Sequence, residues 1–170
     1  MSNLYNATFS ALHVANVRGL KAPHKAILLL SVIDLIEEHV ITSPYIQLSD
    51  ELLNKFSANW HRYVSAYSPF TADIGKPWYH LQHENFWRLI AKEKATELNP
   101  PERPNYGVSS LRSLYDCAII DASLFATLQS ADARAELRCV LISHYCNQPS
   151  AANSNITRTL LLLAMIAGVA

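Results

Sequence analysis

The sequence predicts an α+β fold, a mainly helical single domain with a small antiparallel sheet. Three observations carry that expectation. Half of the 170 residues are hydrophobic and only 16% are charged, so the chain can bury a substantial core. Apolar residues recur at helical spacing through several segments. Short runs such as "YIQL" and "CAII", bounded by turn formers, read as strands between them. This length suits one domain with an appendage: residues 1–150 as the domain and 151–170 as a C-terminal tail.

Leu4, Phe9, Leu12, Val14 and Ala15 lie at roughly helical spacing over residues 2–16. Arg18-Gly19 then ends the pattern, glycine being the usual residue after a helix terminus. A second helix begins at Pro23, whose missing N–H costs nothing in a first turn, and runs to about His39. Its Ile27, Leu28, Leu30, Val32, Ile33, Leu35 and Ile36 point nearly all round, which makes it the central helix.

After "YIQL", Ser49 caps a third helix, with Asp50 and Glu51 in the first turn, where the dipole favours anions. Leu52, Leu53, Phe56, Trp60 and Val64 form its apolar stripe. "YSPFTADIGKP" is a loop, and "WYHLQHENFWRLIA" reads as two short strands turning at "HEN". Residues 92–107 hold three prolines and form a long exposed loop. Ser109 or Ser110 opens a short helix through Tyr115, "CAII" is a strand, and residues 122–129 and 131–146 form a final helical pair.

Fourteen basic and fourteen acidic residues cancel, which excludes a protein basic all over but not one with a local basic face. No acidic residue precedes Asp34, while Arg18, Lys21, His24 and Lys25 all do. A second acid-free stretch runs from Arg103 to Tyr115 and carries Asn105, Tyr106, Ser109, Ser110 and Arg112. Each basic segment is a loop feeding a helix N-terminus. Cations there oppose the helix dipole, so helix chemistry alone would favour Asp or Glu. The placement makes sense for an anion held by backbone N–H groups, dipole and cations together. The bland alternative is a solvated loop whose lysines and arginines serve solubility.

Enzyme signatures are absent. There is no G-x-x-x-x-G-K-[ST], G-x-G-x-x-G or G-x-S-x-G, and no cluster of carboxylates for the metal ions of a nuclease. No catalytic residue, metal site or cofactor is expected. Cys139, His144 and Cys146 match no common zinc spacing, so the three cysteines read as core or partly buried thiols. Their odd number and the lack of a signal-peptide pattern fit a reduced, cytoplasmic protein. The apolar run Leu160–Ala170 is too short to span a bilayer, for which about 20 residues are needed. It reads as an element packed on the domain or on a second copy, and no membrane partner is expected.

Three segments, in order, carry a family resemblance. "APHK" before a Leu/Ile-rich helix, "KPWYHLQHENFWRLI", and "ASLFATLQSADARAELRCVLISHYC" together resemble the DNA sulfur-binding domains over most of residues 4–146. In that family the domain is commonly the targeting half of a type IV restriction enzyme. It recognises duplex DNA in which sulfur replaces a non-bridging phosphate oxygen, and an HNH nuclease domain follows it. With no room for such a domain, this chain resembles a stand-alone reader or a truncated piece of a longer protein, with a nuclease acting in trans as a candidate partner.

The resemblance implies roles by position. His24 and Lys25 match the pair that contacts the modified phosphate, and Pro77 the proline whose ring lines the sulfur cavity. His80 falls where a small residue helps to close that cavity. Lys76 stands where the family usually has Tyr, a departure that exchanges a ring wall for a cation. Residues from Arg103 to Arg112 fall in the base-reaching region.

The expected interface therefore has three parts. Arg18, Gly19, Lys21, His24, Lys25 and Lys76 hold the backbone. Ala22, Pro77, Tyr79 and His80 frame the sulfur. Arg103, Asn105, Tyr106, Ser109, Ser110 and Arg112 read bases. Trp78 reads as strand core, and Tyr79 fits either strand core or cavity wall. Two other readings remain open: a nuclease or nuclease fragment, and an interaction domain that dimerises through the C-terminal tail.

Overall fold

In a computed structural model of the chain, residues 4–93 and 104–146 are described. The element order is α1 (Leu4–Ser10), β1 (Asn16–Val17), β2 (Leu20–Lys21), α2 (His24–Glu37), β3 (Tyr45–Ile46), α3 (Asp50–Tyr63) and α4 (Gly75–His80). A 3-10 turn (Leu81–His83) leads into β4 (Trp87–Ala91), α5 (Val108–Leu114), β5 (Tyr115–Ile120), α6 (Ala122–Thr127) and α7 (Ala131–Leu141), which ends in a π-turn (Ile142–Cys146). The architecture is α+β and mainly helical, with two small antiparallel sheets.

The centre is α2. Its buried residues run from Lys25 to Ile36 with only Asp34 half-buried, so it is apolar all round, as its sequence requires. Helices α3, α4 and α7 pack against it, and α1 lies on α7. Each fully buried Leu or Ile along α2 contributes about 1.5–3 kcal/mol of transfer free energy. Strand β5 is the middle of the larger sheet, flanked by β3 and β4, both antiparallel to it. Ser49 caps α3 by accepting the Leu52 N–H at 3.3 Å, with Asp50 and Glu51 in the first turn, as expected.

Three expectations need correction. The first helix stops at Ser10, and Arg18-Gly19 is the turn of a two-residue hairpin pairing Asn16 with Lys21 and Val17 with Leu20. Both turn residues have positive φ (53° and 81°), the condition for the primed turn that matches strand twist. A glycine after an apolar run satisfies a helix end or this turn equally, and fifteen residues of pattern did not separate them.

The second correction is larger. "WYH" is not a strand but the end of α4. Asp73 Oδ1 accepts the N–H groups of Gly75 (3.0 Å) and Lys76 (3.3 Å), and Pro77 sits in the first turn, where it needs no N–H. Trp78 is buried there and its carbonyl accepts the Trp87 Nε1–H at 3.1 Å, so its core role stands while its element changes. Third, neither Ser109 nor Ser110 opens α5: it starts at Val108 after Gly107, with no side-chain cap. Arg103, most of the 92–107 loop and the 151–170 tail lie outside the described residues.

Candidate nucleic-acid interface

Hairpin β1–β2, the start of α2, the 69–73 loop and α4 enclose an open cleft of about 690 Å³. Six of the expected interface residues line it: Ala22, His24, Lys25, Lys76, Pro77 and His80. Segments 22–25 and 76–80, more than fifty residues apart in the chain, thus meet on one surface. Val14, Ala15, Val17, Pro69 and Phe70 extend the apolar wall, and His13, His83, Thr71 and Asp73 complete the lining.

His24 is held on three sides. Its ring lies 4.8 Å from Trp60 and 5.8 Å from Phe70, and its Nε2–H donates to the Thr71 carbonyl at 2.8 Å. Desolvation lowers its pKa from the ordinary histidine value, outweighing the Thr71 hydrogen bond and Asp73, with Lys76 adding to the lowering. The neutral ring therefore carries its proton on Nε2 and leaves Nδ1 bare. His80 is lowered as well, first by desolvation and then by His83, Lys25 and Lys76. Its ring stacks on His83 at 5.7 Å.

Lys25 departs from its expected role. Its side chain is buried, and its ammonium lies 2.6 Å from Glu84 Oε1, equally buried. Glu84 also accepts the His13 backbone N–H at 3.0 Å, and its other oxygen lies 3.3 Å from His13 Nδ1. Burial pushes the Glu84 carboxyl up, but the bonds and charges of Lys25 and His13 carry it below its ordinary value. Lys25 is thus first a structural cation, closing an ion pair 59 residues long in sequence. Lys76, more exposed, sits 3.6 Å from Asp73 Oδ2.

Other expected residues fall elsewhere. Arg18 and Gly19 form the hairpin tip beside Val17, which lines the cleft, and Arg18 makes no ion pair or hydrogen bond among the described residues. Lys21 faces away from the cleft lining, its ammonium 5.3 Å from the centre of the Tyr145 ring. Tyr79 is not part of the lining. It packs on His80 (5.2 Å), Tyr106 (5.4 Å) and Tyr115 (6.1 Å), behind the cleft lining.

Tyr106 also lies 5.1 Å from His80, which brings that part of the expected base-reading loop to the cleft edge. Gly75 allows this approach: a Cβ there would collide with the Tyr106 carbonyl. Asn105 Oδ1 accepts the Gly107 N–H at 2.9 Å in an exposed local turn. Ser109 and Ser110 stand in the first turn of α5. Arg112 does not join the cleft. Its Nε donates to the Leu48 carbonyl (2.6 Å) and its Nη2 to Asp50 (2.7 Å), in a separate pocket shared with Trp78 and Lys92.

Sequence reasoning missed His13, Phe70, Asp73, His83 and Glu84. "D-x-G-K-P" is a legible helix start and could have placed Asp73. The Glu84–Lys25 pairing had no local signal. Among the described residues no group of three or more His, Cys, Asp or Glu side chains is placed to hold a metal ion. Nor is any helix among them long and apolar enough to cross a membrane. The three cysteines are unbridged, and burial pushes the Cys146 thiol up to about 12.

The arrangement can receive an anion that is only partly ionic in its demands. Apolar groups, imidazoles and one exposed ammonium meet at the start of a helix whose first turn has no side-chain cap. Comparison with protein-family models and with curated proteins found no match for this chain.

Proposed function

We propose that this chain is a non-catalytic reader of phosphorothioate-modified double-stranded DNA, supplying targeting to a nuclease that acts in trans. The observation that supports this reading is the meeting of Ala22, His24, Lys76, Pro77 and His80 in one cleft whose walls are largely apolar. A phosphate oxygen placed against such walls without a hydrogen-bond partner costs about 2–7 kcal/mol. Sulfur is larger and less strongly hydrated, so the same wall penalises it less and gains dispersion contacts. The Pro77 ring and the Ala22 methyl supply the discrimination. Lys76, the uncapped amides of α2 and Arg18 at the hairpin tip supply affinity for any backbone phosphate. Tyr106, at the cleft edge, is the candidate for contact with a base. The unbridged cysteines fit a reducing, cytoplasmic setting.

The test is fluorescence anisotropy on matched short duplexes, with and without a single phosphorothioate of defined configuration, at roughly physiological salt. A preference of about a hundredfold for the modified duplex, or about 2.7 kcal/mol, is expected. Pro77→Ser, which places a hydroxyl in the wall, reduces that preference about tenfold with little effect on the unmodified duplex. Equal binding to both duplexes by the unaltered protein would discard the sulfur assignment.

A further inference from the structure

The cleft is nearly balanced in charge. Lys25 is matched by Glu84 at 2.6 Å, Lys76 by Asp73 at 3.6 Å, and two of the four lining histidines are held neutral by desolvation. For a surface meant to meet a polyanion this is unusual, because a carboxylate inside the site repels every phosphate that enters. The Glu84 carboxylate has a structural reason: it is buried and satisfies a buried lysine. Asp73 has less of one. Its Oδ1 caps α4 by accepting the Gly75 and Lys76 N–H groups, a task that any small oxygen acceptor performs, while Oδ2 faces the Lys76 ammonium and the carboxylate lines the cleft. The cap explains an Asx or Ser side chain at this position. It does not require the negative charge inside the cleft.

We infer that Asp73 is a specificity-determining residue: its carboxylate occupies Lys76 and repels phosphate, so that ordinary DNA gains little from the cleft and sulfur placement decides binding. The inference rests on reading the cleft as a phosphorothioate site. An ordinary phosphate has no use for the Pro77 and Ala22 surface and depends on Lys76, for which Asp73 competes. A sulfur seated on those apolar groups needs the cation less. A site that must pass over the unmodified genome gains from weak non-specific affinity. Removing the charge therefore helps the wrong ligand more than the right one.

The experiment uses Asp73→Asn, which keeps the capping oxygen and removes the charge, and Asp73→Ser as a second neutral cap. Thermal melting verifies that each folds. Affinity for the matched duplexes is measured across a salt series. Binding to the unmodified duplex should tighten about tenfold in both variants, with its salt slope steeper by about one counterion, while the modified duplex gains no more than about threefold. Equal gains on both duplexes, or no gain on either, would overturn the role of Asp73 while the sulfur preference of the unaltered protein stood. If the unaltered protein showed no such preference, the reading beneath the inference would fail first, and the two failures are distinguished within one data set.

Discussion

The two ends of α2 are both charged against the helix dipole, and the protein treats them differently. The C-terminal turns carry Asp34, Glu37 and Glu38, where cations would be favoured; the first turn carries His24 and Lys25, where anions would be. At the C-terminal end the mismatch is resolved by other helices. Arg138 of α7 donates to Asp34 at 2.8 and 3.0 Å and to Glu37 at 2.6 Å, Arg134 reaches Glu37 at 3.3 Å, and Asn59 of α3 donates to Asp34 at 2.8 Å. Lys55 of α3 closes on Glu38. The opposing charges become the clasp that fixes α3 and α7 to the central helix. At the N-terminal end a single buried pair, Lys25–Glu84, does this work, and the rest of the turn opens on the cleft. Charge against the dipole is thus a packing device at one end and part of the lining of an open cleft at the other.

The comparison breaks most severely at Lys25. Lys25→Met leaves Glu84 buried without its cation, and the expected loss of stability is about 3–5 kcal/mol by urea unfolding. Replacing both residues by apolar ones, Lys25→Met with Glu84→Leu, recovers most of it, because the pair contributes little net once both desolvation costs are gone. A single variant as stable as the unaltered protein would show that the ammonium is not committed to Glu84. Loss of DNA binding in a Lys25 variant consequently reports folding before it reports phosphate contact.

A smaller effect is expected at the clasp. Arg138→Ala removes charged hydrogen bonds from the half-buried Asp34 and should cost about 2–3 kcal/mol. The folded fraction should bind duplexes with unchanged affinity, which titration at low temperature checks. If affinity fell in step with stability, the two ends of α2 would be coupled.

The smallest effect sharpens the N-terminal end by pH. His24 and His80 have pKa values lowered below the ordinary histidine value, chiefly by desolvation, so the unfolded chain takes these protons first. Their contribution to stability is full above the ordinary histidine range and is lost as pH falls through the lowered folded-state values. A bound phosphate favours the imidazolium and opposes the shift. Duplex affinity measured from about pH 7.5 down to about pH 5.5 should rise modestly, with proton uptake on binding. A flat profile, or one that falls while the protein stays folded, would remove the imidazoles from the anion contact.

The helices were legible where their signals were local. The all-round apolar character of α2, the Ser49 cap and the final helical pair each follow from residues within a few turns of one another. What was illegible depended on distance or on ambiguous punctuation. Arg18-Gly19 ends a helix or turns a hairpin with the same letters, and Trp78-Tyr79 read as strand residues until Asp73 and Pro77 are taken together as a helix start. In the site, the residue types were legible at 22–25 and 76–80, and both segments reach the cleft. The partners that change their meaning, Glu84 for Lys25 and the Trp60–Phe70 pair for His24, come from remote segments. Arg112 illustrates the same limit: its sequence neighbours give no hint that the Leu48 carbonyl and Asp50 occupy it.

Gly75 carries a consequence for how this protein would respond to random substitution. The Tyr106 carbonyl occupies the space of any side chain there, so even alanine must push the 104–107 backbone away from α4. On the proposed reading, in a saturation survey scored by duplex binding, position 75 would rank with the residues assigned to DNA contact, although it offers the duplex no side chain. Scored by solubility or melting temperature it would fall between the core and the surface, since a displaced loop edge costs less than a broken core. Subtracting one map from the other separates residues that meet the ligand from the one that sets the spacing between them.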